Sequence, residues 1–302
     1  MTEEISHKKP ALLLAVLVVV VIVVGLAYRD SRGPGVLEIG SASELADYYD
    51  SIGYNLDTNP DAVLAVPRTR FLHVPRDWTE PEIPLLKSVF LRAAASGILQ
   101  VNEAILADRE RLLSIDLVRM SKKDRVWLGE LMIRYRVGEP GAPPTVEHLA
   151  ELSRRVDAVP PSLALAQAAV ESGWFRSRFA IEGNALFGQR TTSRNGLKAR
   201  DGDARLAVFP TPRDSIFSYA RNLNTYPAYE AFRDTRAGMR AAGREPAGYE
   251  LAAHLESYSE LGGDYVLLLR EVIRNNGLQP IDSARLVNGP VVTIRPVTSR
   301  AN

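Results

Sequence analysis

The stretch Glu139-Pro140-Gly141-Ala142-Pro143-Pro144 constrains this chain more than any other, because three prolines and a glycine in six residues cannot continue a helix. It divides two sets of helical patterns. On its N-terminal side Leu85, Leu86, Val89 and Phe90, then Ile98, Ile105, Leu106, Leu112 and Leu113, recur at three- and four-residue steps, which predicts one long helix or a bent pair. Ser121 with Asp124 forms a capping-box-like start to another helix, which carries Val126, Trp127, Met132, Ile133 and Tyr135. On the C-terminal side a second unit starts near Thr145. Leu149, Leu152 and Val156 mark a helix, Pro160-Pro161 end the connection, and Ser162 is placed to cap the helix that follows. Later helices are expected from about Pro212, capped by Thr211, and from Ala228, Gly248 and Asp264, with Gly277 as a terminal cap. Between Arg190 and Phe209 the pattern changes. Asn195-Gly196 and Asp201-Gly202 are turn dipeptides and "RLAVF" has strand propensity, so one β-hairpin is expected. The fold class is mainly α with a small β-hairpin lobe.

Composition excludes several classes of function. With 46% hydrophobic and 24% charged residues, the 302-residue chain can bury a substantial core. Thirty-seven basic against 36 acidic residues create no overall field that draws it to nucleic acid. The absence of cysteine removes disulfides and thiolate chemistry, and the four histidines, His7, His73, His148 and His254, share no metal-ligand spacing. No metal is expected. Residues 11–27, "ALLLAVLVVVVIVVGLA", are uncharged, and a bilayer span needs roughly 17 to 25 such residues. His7, Lys8 and Lys9 precede the run and favour an N-in orientation. A transmembrane anchor or uncleaved signal is expected there, with a cleaved signal peptide as the alternative, since Gly25 and Ala27 have suitable size for a peptidase site. The bulk of the chain then lies on the exported side of the membrane. The expected divisions are a cytoplasmic tail at 1–10, the anchor at 11–27, a linker at 28–70 with one short helix near Glu44 to Tyr49, a helical subdomain at 71–140, a second domain at 145–280 and a loose tail at 281–302.

The chemistry concentrates in "LALAQAAVESGW", Leu163 to Trp174. Taken as a helix, Leu163, Ala166 and Val170 share a core stripe, while Gln167 and Glu171 stand one turn apart on an adjoining line. Glu171 lies in the last turn before Gly173, so the partial negative charge of the helix end opposes its ionisation. Apolar neighbours such as Trp174 add a desolvation cost in the same direction. Both effects favour a protonated acid, which glycosidic cleavage requires of its proton donor. A solvated charge closing a buried helix is the competing reading of the same residue.

The segments "VPPSLALAQAAVESGW", "EGNALFGQ", "SYARNLNTYPAYEAFR" and "LESYSELGGDYVLLLREVIRNNGL", in that order, resemble the family-73 glycoside hydrolases, bacterial glucosaminidases with a lysozyme-like helical fold that cleave peptidoglycan. More closely, with "NEAILADRERLL" and "DRVWLGELMIRYRV" upstream, the chain resembles the Bax-like branch of Gram-negative bacteria. The resemblance spans roughly residues 70 to 280. It implies that Glu171 is the general acid and that Tyr258 lines the active site, positioning the substrate's acetamido group or an attacking water. It also implies that Asn184, Phe187 and Gly188, in the family's N-x-L-F-G loop, and Gln189 beside them contribute to substrate binding, with Trp174 able to stack on a sugar or to pack in the core. No metal or organic cofactor is implied.

Glycosidases usually need a second group, at roughly 5 Å for retention or 6.5 to 9.5 Å for inversion. Related enzymes draw an acid from the β-lobe, where this sequence offers Asp201 and Asp203, both equally explained as turn chemistry; Glu182 is too close to the "EGN" loop to assign. If neither aspartate reaches the site, the substrate's own acetamido group would activate water. Phe175-Arg176 replaces the family's usual Gly-Thr after the tryptophan, and Ala185 replaces a common asparagine. Arg190, Arg194, Lys198, Arg200 and Arg205 make the lobe basic, either as a solvated face or as a contact for stem-peptide carboxylates. The expected function is a membrane-anchored peptidoglycan hydrolase acting on glycan strands, with a lytic transglycosylase or a non-catalytic wall-binding scaffold as alternatives. The sequence identifies no protein regulator.

Overall fold

In the computed structural model of the chain, residues 35–56, 63–75, 77–198 and 205–297 are described. The predicted membrane run at 11–27 lies outside them. The fold is mainly helical. Helix α1 is Ala42–Ser51, capped by Ser41, whose side chain accepts from the Glu44 amide at 3.0 Å. The long apolar pattern forms a single helix, α2, Ile83–Leu113, rather than a bent pair. It is long and apolar enough to cross a bilayer, but 67% of its apolar window is buried inside the protein, so it is a core helix. Helix α3 is Lys122–Tyr135 behind Ser121, and α4 is Val146–Arg155 behind a capping box between Thr145 and His148.

Helix α5, Pro161–Ser172, is the centre of the molecule. Every residue from Pro161 to Ala169 is buried, because α2, the later helix α10 (Gly263–Asn275), the short α9 (Gly248–Leu251) and the 3-10 turn Gln279–Ser283 pack around it. A helix apolar on nearly all sides can only be stable in such a position. Ser162 does not cap it as expected. Pro160 is the N-cap and has no side-chain bond, while the Asp282 carboxylate accepts from both the Ser162 amide and hydroxyl at 2.8 Å. The same carboxylate accepts from the Gly248 amide at the start of α9, so one acid serves two helix N-termini.

The remaining helices are α6 (Arg178–Gly183), α7 (Pro212–Thr225) and α8 (Glu230–Ala241). The expected box of Thr211 with Asp214 starts α7, and Gly277, at φ +58°, follows α10. Two sheets join the ends of the described chain. The first contains β1 (Val36–Ile39), β3 (Thr69–Phe71) and β8 (Val292–Pro296), with β8 between the other two and parallel to both. The second pairs β2 (Ala65–Val66) with β7 (Arg285–Leu286), also parallel. Residues expected as linker and loose tail therefore hold each other, and Ile294 at the centre of β8 is buried. The lobe is larger than a hairpin. Strands β4 (Arg190–Thr191), β5 (Leu197–Lys198) and β6 (Arg205–Leu206) form a three-stranded antiparallel sheet with β6 in the middle.

Candidate active site

Helix α5 ends at Gly173, which takes a left-handed conformation at φ +59°. Unusually, Trp174 and Phe175 continue it at φ +59° and +65°. Side chains disfavour that region by roughly 1–2 kcal/mol per residue. The turn is held from several directions: the Ser172 hydroxyl accepts from the Phe175 amide at 2.8 Å, the Trp174 amide donates back to the Ala169 carbonyl at 2.9 Å, and Trp78 Nε1 donates to the Trp174 carbonyl at 3.2 Å. Phe175 is buried with its ring edge-on to Trp78. Trp174 is partly buried; it packs edge-on against Phe90, with Lys87 Nζ 4.7 Å from its ring centroid.

Glu171, in the final turn of α5, is half-buried. Its Oε1 accepts from the Tyr265 hydroxyl on α10 at 2.7 Å. Its Oε2 faces Gly188, where a Cβ would lie 2.9 Å away. Gly188, at φ +61°, thus meets two demands that other residues meet poorly: a left-handed backbone and close approach to the acid. Burial raises the Glu171 carboxyl above its ordinary value, and the hydrogen bond from Tyr265 opposes part of that rise. Asp201 and Asp203 lie outside the described residues. Glu182 is exposed and 3.5 Å from Arg178.

The other predicted residues build the loop that faces Glu171. Asn184 closes α6 at φ +51°, and its amide donates to the Phe209 carbonyl at 2.9 Å, which joins the loop to the strand of chain leaving the lobe. Phe187 is buried and stacked on Tyr219, with ring centroids 3.9 Å apart. The Tyr258 hydroxyl donates to the Phe187 carbonyl at 2.9 Å. Tyr258 therefore holds the loop next to Gly188, and its ring stacks on Tyr265 at a centroid separation of 5.7 Å. Gln189 donates to the Ser218 hydroxyl at 3.0 Å and its carbonyl accepts from the Ala207 amide at 2.8 Å, tying the lobe to α7. In the lobe, Arg190 stands 3.7 Å from the exposed Glu260, and Arg205 donates to the carbonyls of Arg194 and Gly196.

Sequence reasoning missed Tyr265, the tyrosine that bonds the acid. Its signal was available: it opens the helix predicted from Asp264, seven residues beyond Tyr258. It also gave no role to Gln167, whose amide reaches Tyr265 at 3.1 Å. The site is marked by chemistry rather than by the size of a hollow, since a groove of about 480 Å³ opens at the other end of α5, beside Pro161 and Asp282.

Residues 146–278 match the glucosaminidase family, described as mannosyl-glycoprotein endo-beta-N-acetylglucosaminidase. Protein bax of Escherichia coli (strain K12) is 32% identical over 191 residues, which cover 63% of this chain and 69% of that protein. The chain belongs to the Bax-like glucosaminidase family. The crystal structure of the catalytic domain of the autolysin Auto from Listeria monocytogenes superposes with a TM-score of 0.32 at 16% identity, covering 58% of this chain and 96% of that one. As a Bax-like glucosaminidase the protein is a glycoside hydrolase. Glu171, Tyr265 and the Gly188 loop all fall inside the matched residues.

Proposed function

We propose that this Bax-like glucosaminidase is a membrane-anchored autolysin that cleaves the β-1,4 bond after N-acetylglucosamine in peptidoglycan, with Glu171 as general acid. One observation carries the reading. Glu171 is a half-buried carboxyl whose surroundings favour its protonated form, with one oxygen engaged by Tyr265 and the other beside the side-chain-free Gly188. Such a group can protonate a leaving glycosidic oxygen. The uncharged run at 11–27 supports anchoring, with the matched domain on the periplasmic side. Trp174, Asn184, Phe187, Gly188 and Gln189 then act mainly by fixing the surroundings of Glu171.

Among the described residues, the charge of Glu171 bears on four tyrosines, Tyr219, Tyr229, Tyr258 and Tyr265. For the step after protonation two readings stand: an aspartate of the lobe, Asp201 or Asp203, activates water, or the substrate's own acetamido oxygen stabilises the sugar cation. Digestion of isolated peptidoglycan tests the function. Fragments ending in reducing N-acetylglucosamine are expected. Fragments ending in 1,6-anhydro sugars would make the protein a lytic transglycosylase, and intact glycan with retained binding would make it a scaffold.

A further inference from the structure

Behind Glu171 runs a chain of polar side chains that starts deep in the core. Tyr219 on α7 donates to Gln167 Oε1 at 2.6 Å, Gln167 Nε2 donates to the Tyr265 hydroxyl at 3.1 Å, and Tyr265 donates to Glu171 Oε1 at 2.7 Å. Tyr219 and Gln167 are 1% and 0% exposed, so they are out of reach of bulk solvent. The lengths set the direction of the chain. A separation of 2.6 Å suits a hydroxyl donating to a carbonyl oxygen, and 3.1 Å suits an amide N–H donor. The opposite amide orientation would press an N–H group onto Tyr219 and take the Tyr265 proton away from Glu171. With the observed direction, Oε1 is an acceptor whether or not Glu171 is ionised. A proton on the acid then has only Oε2 to occupy. Oε2 is the oxygen beside Gly188, where an added Cβ would stand 2.9 Å away.

We propose that Tyr219 and Gln167 are positioning residues that select which oxygen of Glu171 carries the proton, reserving Oε1 as an acceptor and leaving Oε2, beside Gly188, as the donor to the substrate. The proposal rests on Glu171 being the general acid. It accounts for a fully buried glutamine one turn before the acid, a position where a core helix would otherwise favour an apolar residue. Among the described residues, the titratable groups electrostatically coupled to Glu171 are Tyr219 from α7, Tyr229 from the 3-10 turn Pro227–Tyr229, Tyr258 from the turn Glu256–Tyr258, and Tyr265 from α10. Burial raises all four hydroxyls, so they are neutral at physiological pH and act on the acid through bond direction rather than charge.

Tyr219→Phe in the full chain tests the proposal, because it deletes one buried hydroxyl and keeps the ring stacked on Phe187. Gln167 is then free to turn, Tyr265 donates to it part of the time, and the acid proton gains access to Oε1. The expected result is a fall in kcat of about tenfold at unchanged KM, the scale of a misaligned reacting group. Carboxyl NMR of Glu171 is expected to show titration at higher pH than in the wild type, since a bond that favours the anion is weakened. Tyr265→Phe raises the titration as well, and adding Tyr219→Phe to it produces no further shift. Gln167→Met, which removes the amide at similar volume, gives the same upward shift and serves if Tyr219→Phe loses its fold. An unmoved Glu171 titration in a folded single variant, or additive shifts in the double variant, overturns the proposal. The titration needs no turnover, so an inactive wild type would count against the hydrolase reading while leaving the polar chain fully tested.

Discussion

At the scale of single residues, the two oxygens of Glu171 have unlike surroundings, and that asymmetry gives the side chain its chemistry. Burial disfavours the anion, the helix end opposes it further, and Tyr265 partly restores it. The acid's folded-state value is therefore raised above its unfolded one. Its contribution to stability is complete below the unfolded value and is lost as pH rises through the folded one. Thermal melts between about pH 4 and 8 should accordingly show the wild type losing stability relative to Glu171→Gln, with the difference closing in acid. Parallel curves would contradict the raised acid. Gly188 makes a second prediction. Gly188→Ala puts a side chain at φ +61°, at a cost of roughly 1–2 kcal/mol, and places its Cβ 2.9 Å from Oε2. Denaturant melts should register that loss, and kcat should fall by more than ten times while substrate binding changes less.

At the scale of elements, three consecutive left-handed residues, Gly173, Trp174 and Phe175, follow α5. The resemblance implies glycine at the position of Phe175, and φ +65° is the reason a glycine suits it. Phe175→Gly relieves roughly 1–2 kcal/mol of backbone strain but removes a buried ring worth about 3–5 kcal/mol against Trp78. A net loss of about 1–4 kcal/mol is expected by chemical denaturation. A gain would mean that the edge-on packing of Phe175 against Trp78 contributes little. The helices were legible because their periods and caps are local: Ser41 aside, the starts at Ser121, Thr145 and Thr211 follow from residues three apart. The start of α5 was legible from Pro160-Pro161 but its cap was not, since the carboxylate that accepts from the Ser162 amide, Asp282, comes 120 residues later. The parallel strands were missed for the same reason. Val36–Ile39 and Val292–Pro296 are short, and each is specified by a partner at the far end of the chain. In the site, Glu171 and the Gly188 loop could be read from their segments, whereas Tyr265 and Gln167 gain meaning only once α10 lies against α5.

At the scale of the whole molecule, one apolar core runs from Ile39 to Ile294, and a buried charge joins its parts. Asp157, 2% exposed in the connection between α4 and α5, lies 2.7 Å from Arg240 and 3.7 Å from Arg236 on α8, and 3.8 Å from Arg109 on α2. Arg236 is itself fully buried, which lowers its guanidinium to about 10, and it donates to the carbonyls of Arg154 and Ala158. Removing the acid strands several cations, so Asp157→Ala should cost about 3–5 kcal/mol in denaturant melts. A cost below about 1 kcal/mol would show that the arginines are satisfied by carbonyls alone. This frame holds α5 and, at its far end, the acid. The most direct measurement of that acid's role is the release of reducing ends from isolated peptidoglycan by the wild type and by Glu171→Gln, which keeps the shape and the Tyr265 bond but has no proton to give. A fall of about 10²- to 10⁴-fold with binding retained is the predicted result, and equal release by the two proteins would contradict it.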